Sequence, residues 1–264
     1  MAILTISHEM GSGGAEIGMT VATRLGYHYV DHDEVLTRAR RYGLAEDRLA
    51  RLEEDRPSWV ERFDVETRRY LLALQAVLFE CAQDDHVVLM GRGAQWLLRD
   101  LPHVLRTRIV APFPLRVTRL TDTLAAQGKE RVTPKTVAQF IRRDDSQKMG
   151  RMRYLFDVDL KDPSLYDVLI NTAALSDEAA TALLVEVVRR PEFATTDAAR
   201  QLVADRVLAS QVEGRPGEPS RPATASDRCG VQPRCRDARA YLKPRILIVP
   251  WPSPGVSRES RTSP

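Results

Sequence analysis

The sequence predicts an α/β fold in which helices cover both faces of a parallel sheet. Three observations carry that expectation. Short apolar runs alternate with amphipathic helical stretches along residues 1–190. The run Val87-Val88-Leu89-Met90 is almost wholly apolar, as in a strand buried on both faces. The chain also opens as strand, glycine-rich turn and helix: an apolar run through Ile3, Leu4 and Ile6 ends at Gly11-Ser12-Gly13-Gly14, after which Ile17, Val21 and Leu25 share one helical face.

That opening has the chemistry of a phosphate cradle. Glycines let backbone N–H groups converge on an anion, and the helix N-terminus adds the positive end of its dipole. A full P-loop reads Gly, four residues, then Gly-Lys-Ser/Thr. Laid on that pattern, His8 falls on the first Gly, Gly14 on the Lys, and Glu16 close to the hydroxyl position. The alternative is a glycine turn that only lets the first helix pack against a strand.

At 264 residues the chain can bury a full core and reads as one domain with an appendage. Its net charge of +3 is unevenly spread: residues 214–264 hold ten Lys/Arg against four Asp/Glu, leaving 29 against 32 in residues 1–213. A mildly acidic body argues against a broad nucleic-acid-binding face and leaves only weak contact through the basic tail. Cys81, Cys229 and Cys235 have neither zinc nor disulfide spacing and indicate a reducing compartment. With no leader-like segment and no membrane-spanning apolar stretch, a soluble cytoplasmic protein is expected.

Gly26 is placed to end the first helix, and residues 27–30 form a short strand delivering Asp31 to the sheet edge where ligands gather. Asp31 or Asp33 also suits the cap of a helix over 34–42; at Asp31 the two roles are compatible. Helices are expected over 44–54 and 64–83, the second with Tyr70, Leu71, Leu74, Val77 and Leu78 toward the core. Trp59 and Phe63 between them suit helix packing. After the strand at 87–90, Gly91-Arg92-Gly93 allows an anion to approach a guanidinium closely.

A strand over 104–110 carries Arg106 and Arg108 among apolar residues, and a helix over 115–126 and a charged turn at 128–131 follow. Thr133 as cap and Pro134 at the first position open another helix, through Val137, Phe140 and Ile141. It leads into five cations, Arg142, Arg143, Lys148, Arg151 and Arg153, which form either a solvated face or a mobile cover over a transferring group. A strand over 166–172 and a helix capped at Ser176 and running to about 190 complete the alternation.

In order and spacing, Thr5-Ile6-Ser7, Gly11-Ser12-Gly13-Gly14, Leu25-Gly26-Tyr27, Asp31, Gly91-Arg92-Gly93, Arg143-Asp144-Asp145 and residues 162–172 resemble the cytidylate kinase-like family of P-loop nucleoside monophosphate kinases, across roughly residues 1–190. The resemblance implies a P-loop NTPase-like three-layer sandwich with a helical region closing over the monophosphate and an Arg-rich lid. It implies ATP and Mg²⁺ as cofactors, and ATP and a nucleoside monophosphate, CMP or dCMP, as the nucleotides bound. On that layout Ser7, His8, Gly11, Ser12, Gly13 and Gly14 hold the donor phosphates, and Asp31 and Arg92 face the acceptor. Arg143, with Lys148, Arg151 or Arg153, neutralises charge in the transition state, and Glu16 meets Mg²⁺ directly or through water.

Cytidylate kinases carry Lys where this chain has Gly14, whereas the cytidylate kinase-like branch generally has Gly there and tends to carry Arg at His8 and a polar or basic residue at Ala15. A cation from the lid, or His8, is the available substitute. Beside the kinase reading stand a nucleotide-binding regulatory protein that has kept the cradle and lost transfer, and a kinase of another small acceptor.

Around Pro191 the character changes. Thr195-Thr196-Asp197 can cap a helical extension over 191–213 with Leu202, Val203, Val207 and Leu208 on its apolar side. Residues 214–264 hold nine of the sixteen prolines, show no periodicity beyond a strand-like piece at 246–249, and are expected to be disordered. They read either as a basic tail touching an anion or as an out-of-frame extension.

Overall fold

The computed structural model describes residues 2–42, 65–128 and 132–214. The expected helix over 44–54, Trp59, Phe63, residues 129–131, Cys229, Cys235 and the tail from residue 215 lie outside the described residues.

Five strands, β1 (Ile3–His8), β2 (His28–Val30), β3 (Val87–Met90), β4 (Val104–Val110) and β5 (Val168–Asn171), form one sheet in the order β2-β3-β1-β4-β5. All its pairings are parallel. Central β1 registers Ile3 and Leu4 with Val87 and Val88 on one side and with Val104 and Leu105 on the other. The chain leaves β1 for one half of the sheet and later crosses to the other, so the crevice outside the C-terminal end of β1 is a topological switch point.

The helices are α1 (Gly14–Leu25), α2 (His32–Ala39), α3 (Val65–Gln83), α4 (Ala94–Leu97), α5 (Phe113–Ala126), α6 (Pro134–Phe156), α7 (Asp177–Val188) and α8 (Asp197–Gly214). Because strand side chains alternate, neighbouring residues of β1 serve opposite cores. Ile3 joins Leu89, Val104 and the α3 residues Leu74, Val77 and Leu78. Leu4 and Ile6 join Val88, Ile109, Ile17 and Val21 of α1, and Leu184 of α7.

Local chemistry sets the helix ends. Gly26, left-handed at φ 67°, closes α1. The Glu34 amide donates to Asp31 Oδ1 at 2.9 Å, so Asp31 is the cap and α2 begins at His32, two residues ahead of expectation. Thr133 and Ser176 cap α6 and α7 as their positions suggest. Strand β5 is shorter than 166–172 because Tyr166 turns inward, buried, and donates its hydroxyl to Leu160 O at 2.9 Å.

Phe140 and Leu208, expected on apolar faces, are 55% and 62% exposed. Their helices bury Val137 with Ile141, and Val203 with Val207, pairs four residues apart on one face. Val203 and Val207 enter the same core as α3, so α8 covers the sheet-bearing unit. No helix among the described residues is long and apolar enough to cross a membrane.

The packing of α8 is testable by urea unfolding. Val203→Asp places an unpaired charge in that core and is expected to cost about 3 kcal/mol or more. Leu208→Asp, on the exposed side, is expected to stay within about 0.5 kcal/mol.

Candidate functional site

The loop after β1 is held by its carbonyls. The Glu9 amide donates to Ile109 O at 3.1 Å, and the Ser12 amide closes a turn on Glu9 O at 3.1 Å. Arg116 Nη1 donates to Met10 O at 3.3 Å and Thr172 Oγ1 to Ser12 O at 2.8 Å. The first-turn amides of α1, from Gly14 on, are donors that a helix leaves without intrahelical partners. Gly13 is left-handed, and a Cβ on it would lie 2.8 Å from Asp177 Oδ1. A Cβ on Gly14 would run into the Cβ of His8. With His8 at the strand end, no side chain fits at residue 14, so the place of a P-loop lysine is closed sterically.

Beside this loop, at the C-terminal ends of β1, β2 and β3, lies a cavity of about 380 Å³. Of the residues singled out from the sequence, Ser7, His8, Asp31, Arg92, Lys148 and Arg151 line it. Gly11, Ser12, Gly13 and Gly14 form the adjacent loop, and Glu16 is exposed on the first turn of α1. Arg143 and Arg153 are exposed on α6 and do not line the cavity. The helix is continuous through the cation run, and Asp144, Gln147, Lys148, Arg151, Met152 and Leu155 form its cavity-lining stripe at three- and four-residue spacing. Residues 143 and 153 fall off that stripe.

The cavity gathers cations. Burial, and then repulsion from Arg151, pushes the Arg92 guanidinium down to about 9. Arg92 donates to His32 Nε2 at 2.6 Å, which makes that nitrogen the acceptor of a neutral imidazole. Toward the loop, Lys148 Nζ lies 2.9 Å from Asp144 Oδ2 and donates to His8 O at 3.5 Å. Burial, reinforced by Lys148, pushes the His8 imidazole down to about 4, so it is neutral at pH 7.

Beneath the cavity runs a chain of alternating charges that sequence reasoning missed. Arg108 is 5% exposed, donates to Ser7 Oγ at 3.0 Å and Tyr166 OH at 3.3 Å, and lies 3.5 Å from Glu9. Glu9 reaches Arg116 at 3.6 Å, and Arg116 forms a two-pronged pair with Asp145 of α6 at 3.0 and 2.7 Å. Arg108 left one signal, a charge inside a strand that otherwise reads as buried. Arg116, Tyr29, His32, Gln95 and Gln147 left none that separates them from ordinary helix and strand residues.

Two outcomes follow from His8. Gly14→Ala is expected to cost roughly 1–3 kcal/mol in urea unfolding, and adding His8→Gly, which removes the opposing Cβ, should recover much of it. The second concerns pH. The folded value of His8 is about 4 against 6.5 unfolded, so the unfolded chain binds more protons between them and stability rises with pH across that window. The contribution is fully present above 6.5 and lost as pH falls toward 4. His8→Gln should flatten this part of the stability profile, by up to about 3 kcal/mol.

The profile of the cytidylate kinase-like family matches residues 3–174. The cytidylate kinase of Desulfurococcus amylolyticus is 28% identical over 192 residues, covering 71% of this chain and 93% of that protein. The cytidylate kinase of Aeropyrum pernix is 28% identical over 186 residues, covering 70% of this chain and 98% of that protein. Among solved structures, an uncharacterized protein from Eubacterium ventriosum aligns with a TM-score of 0.57 at 17% identity, over 71% of this chain and 97% of that one, a likeness of fold. The family match spans well over half of the sequence and includes the glycine loop, Arg92 and the cation-bearing helix: the chain belongs to the cytidylate kinase-like family.

Proposed function

We propose that the protein transfers a phosphoryl group from ATP to a nucleoside monophosphate, with CMP or dCMP as acceptor. One observation carries this reading: a single cavity gathers Ser7 and His8 from the end of β1, Asp31 from beyond β2, Arg92 from beyond β3, and Lys148 and Arg151 from α6. Phosphoryl transfer asks little covalent chemistry of a protein; it needs two phosphate-bearing molecules aligned and cations around the moving group.

The residues divide by position. Gly11, Ser12, Gly13 and Gly14, with the first amides of α1, take the donor phosphates. Arg92 and Arg151 crowd two positive charges that a phosphate dianion relieves, so they take the acceptor's phosphate, beside Asp31. Lys148 supplies the cation that residue 14 cannot carry. Arg143 and Arg153, exposed on the same helix, contribute through movement of α6. Among the described residues no three His, Cys, Asp or Glu side chains form a metal cage. Mg²⁺ bound with the phosphates would neutralise part of their charge, and Glu16, on the first turn of α1, would meet it directly or through water.

The closed position at Gly14 favours one other reading, a nucleotide-binding protein without transfer. Purified full-length protein with ATP, Mg²⁺ and a panel of nucleoside monophosphates separates the two. The kinase reading expects ADP only when an acceptor is present, and binding without turnover across the panel supports the other. Arg92→Ala is expected to lower kcat/KM by about 10- to 100-fold, the worth of a charge-assisted phosphate contact. Arg40→Ala, exposed in the turn after α2, should change it less than about twofold.

A further inference from the structure

We infer that Gln95 reads the base of the acceptor nucleotide, an assignment that rests on the acceptor reading above. Gln95 sits on α4, is 2% exposed, and lines the cavity. Its carboxamide has no hydrogen-bond partner among the described residues. The open space it borders is the cavity.

A carboxamide held without partners in a protein interior is costly unless something arrives to pair with it. Beside the charged groups, Leu74, Met152 and Phe156 line the same cavity, and Phe156 lies over Gly93, where a Cβ would come within 2.9 Å of its ring. Water competes poorly for a side chain buried this far, so a hydrogen bond made there discriminates strongly between ligands that can and cannot form it.

The amide presents an acceptor and a donor side by side. A base with an amino group next to an unprotonated ring nitrogen matches that pair: the Gln95 oxygen accepts from the amino group and its NH₂ donates to the ring nitrogen. Cytosine presents this edge through N4–H₂ and N3. Arg92, three residues earlier in the same wall, takes the phosphate, so β3 and the turn into α4 hold both ends of one nucleoside monophosphate.

The test compares wild type, Gln95→Leu and Gln95→Glu, using CMP and ribose 5-phosphate, which keeps the phosphate and lacks the base. Gln95→Leu is expected to raise KM for CMP about tenfold or more, with kcat within about twofold and ribose 5-phosphate affinity unchanged. Gln95→Glu, which can only accept when ionised, should weaken CMP at least as much. The melting temperature of Gln95→Leu should hold or rise, since an unpaired amide is removed. Equal losses for CMP and ribose 5-phosphate, an unchanged KM, or a large fall in melting temperature would assign Gln95 a structural role and overturn the inference. Wild-type protein that binds neither CMP nor any other nucleoside monophosphate overturns the acceptor reading together with it, an outcome distinct from those three.

Discussion

The arrangement of the site depends on the buried chain Arg108, Glu9, Arg116, Asp145, in which each charge is flanked by its opposite. Arg108 belongs to the sheet, Glu9 to the loop after β1, Arg116 to α5 and Asp145 to α6, so one electrostatic path ties the loop beside the cavity to the sheet, to α5 and to the cavity-lining α6. Such a chain contributes little net stability compared with a well-packed apolar core, because desolvation offsets most of the attraction. Its consequence is positional. Removing one member strands its neighbour's charge, so the pairs hold the strand, the loop, α5 and α6 in register. The loop turns its carbonyls toward Arg116 and Thr172, and the amides of α1's first turn are what remain for an anion.

The contact between His8 and Gly14 has a similar reach. In a lysine-bearing P-loop the phosphate-facing cation is part of the loop and present whatever the lid does. Here the strand end fills that place, and the cation beside the loop, Lys148, rides on α6 and is steered by Asp144 one turn earlier. On the proposed reading, charge neutralisation on the donor side would depend on the position of α6. A neutral His8 suits this arrangement, since a second positive charge under Lys148 would repel it.

The fold was legible because most of its determinants are local. Alternation of strand and helix, the wholly apolar β3, Gly26 at a helix end and the Thr133-Pro134 start all act within a few residues, and each appears where its chemistry points. The glycine loop, Asp31 and Arg92 were legible for the same reason, each following directly on a strand. What stayed hidden depends on partners far apart in sequence. Arg116 and Asp145 are 29 residues apart and Arg108 and Ser7 are 101 apart, and nothing near either residue announces the other. The cation run lies between these cases. Helical spacing alone separates Lys148 and Arg151 from Arg143 and Arg153, but only once the helix is known to continue unbroken to Phe156.

Backbone conformation at the end of β3 explains why Arg92 and Gln95 can act on one ligand. Gly91, Arg92 and Gly93 are all left-handed, at φ 69°, 57° and 72°. For the arginine this costs on the order of 1 kcal/mol, which the surrounding structure must sustain. The left-handed run turns the chain sharply out of the sheet and starts α4 at once, with Arg92 in the cavity wall before the helix and Gln95 in it after one step of helix. An arginine on an ordinary extended strand end would leave the next residues running away from the crevice. The left-handed turn carrying Arg92, the Arg92 guanidinium beside Arg151 and the nearly buried amide of Gln95 all border the same cavity. On the proposed reading, a phosphate-bearing, hydrogen-bonding ligand would meet groups already held in place, and less of its binding energy would be lost to ordering side chains.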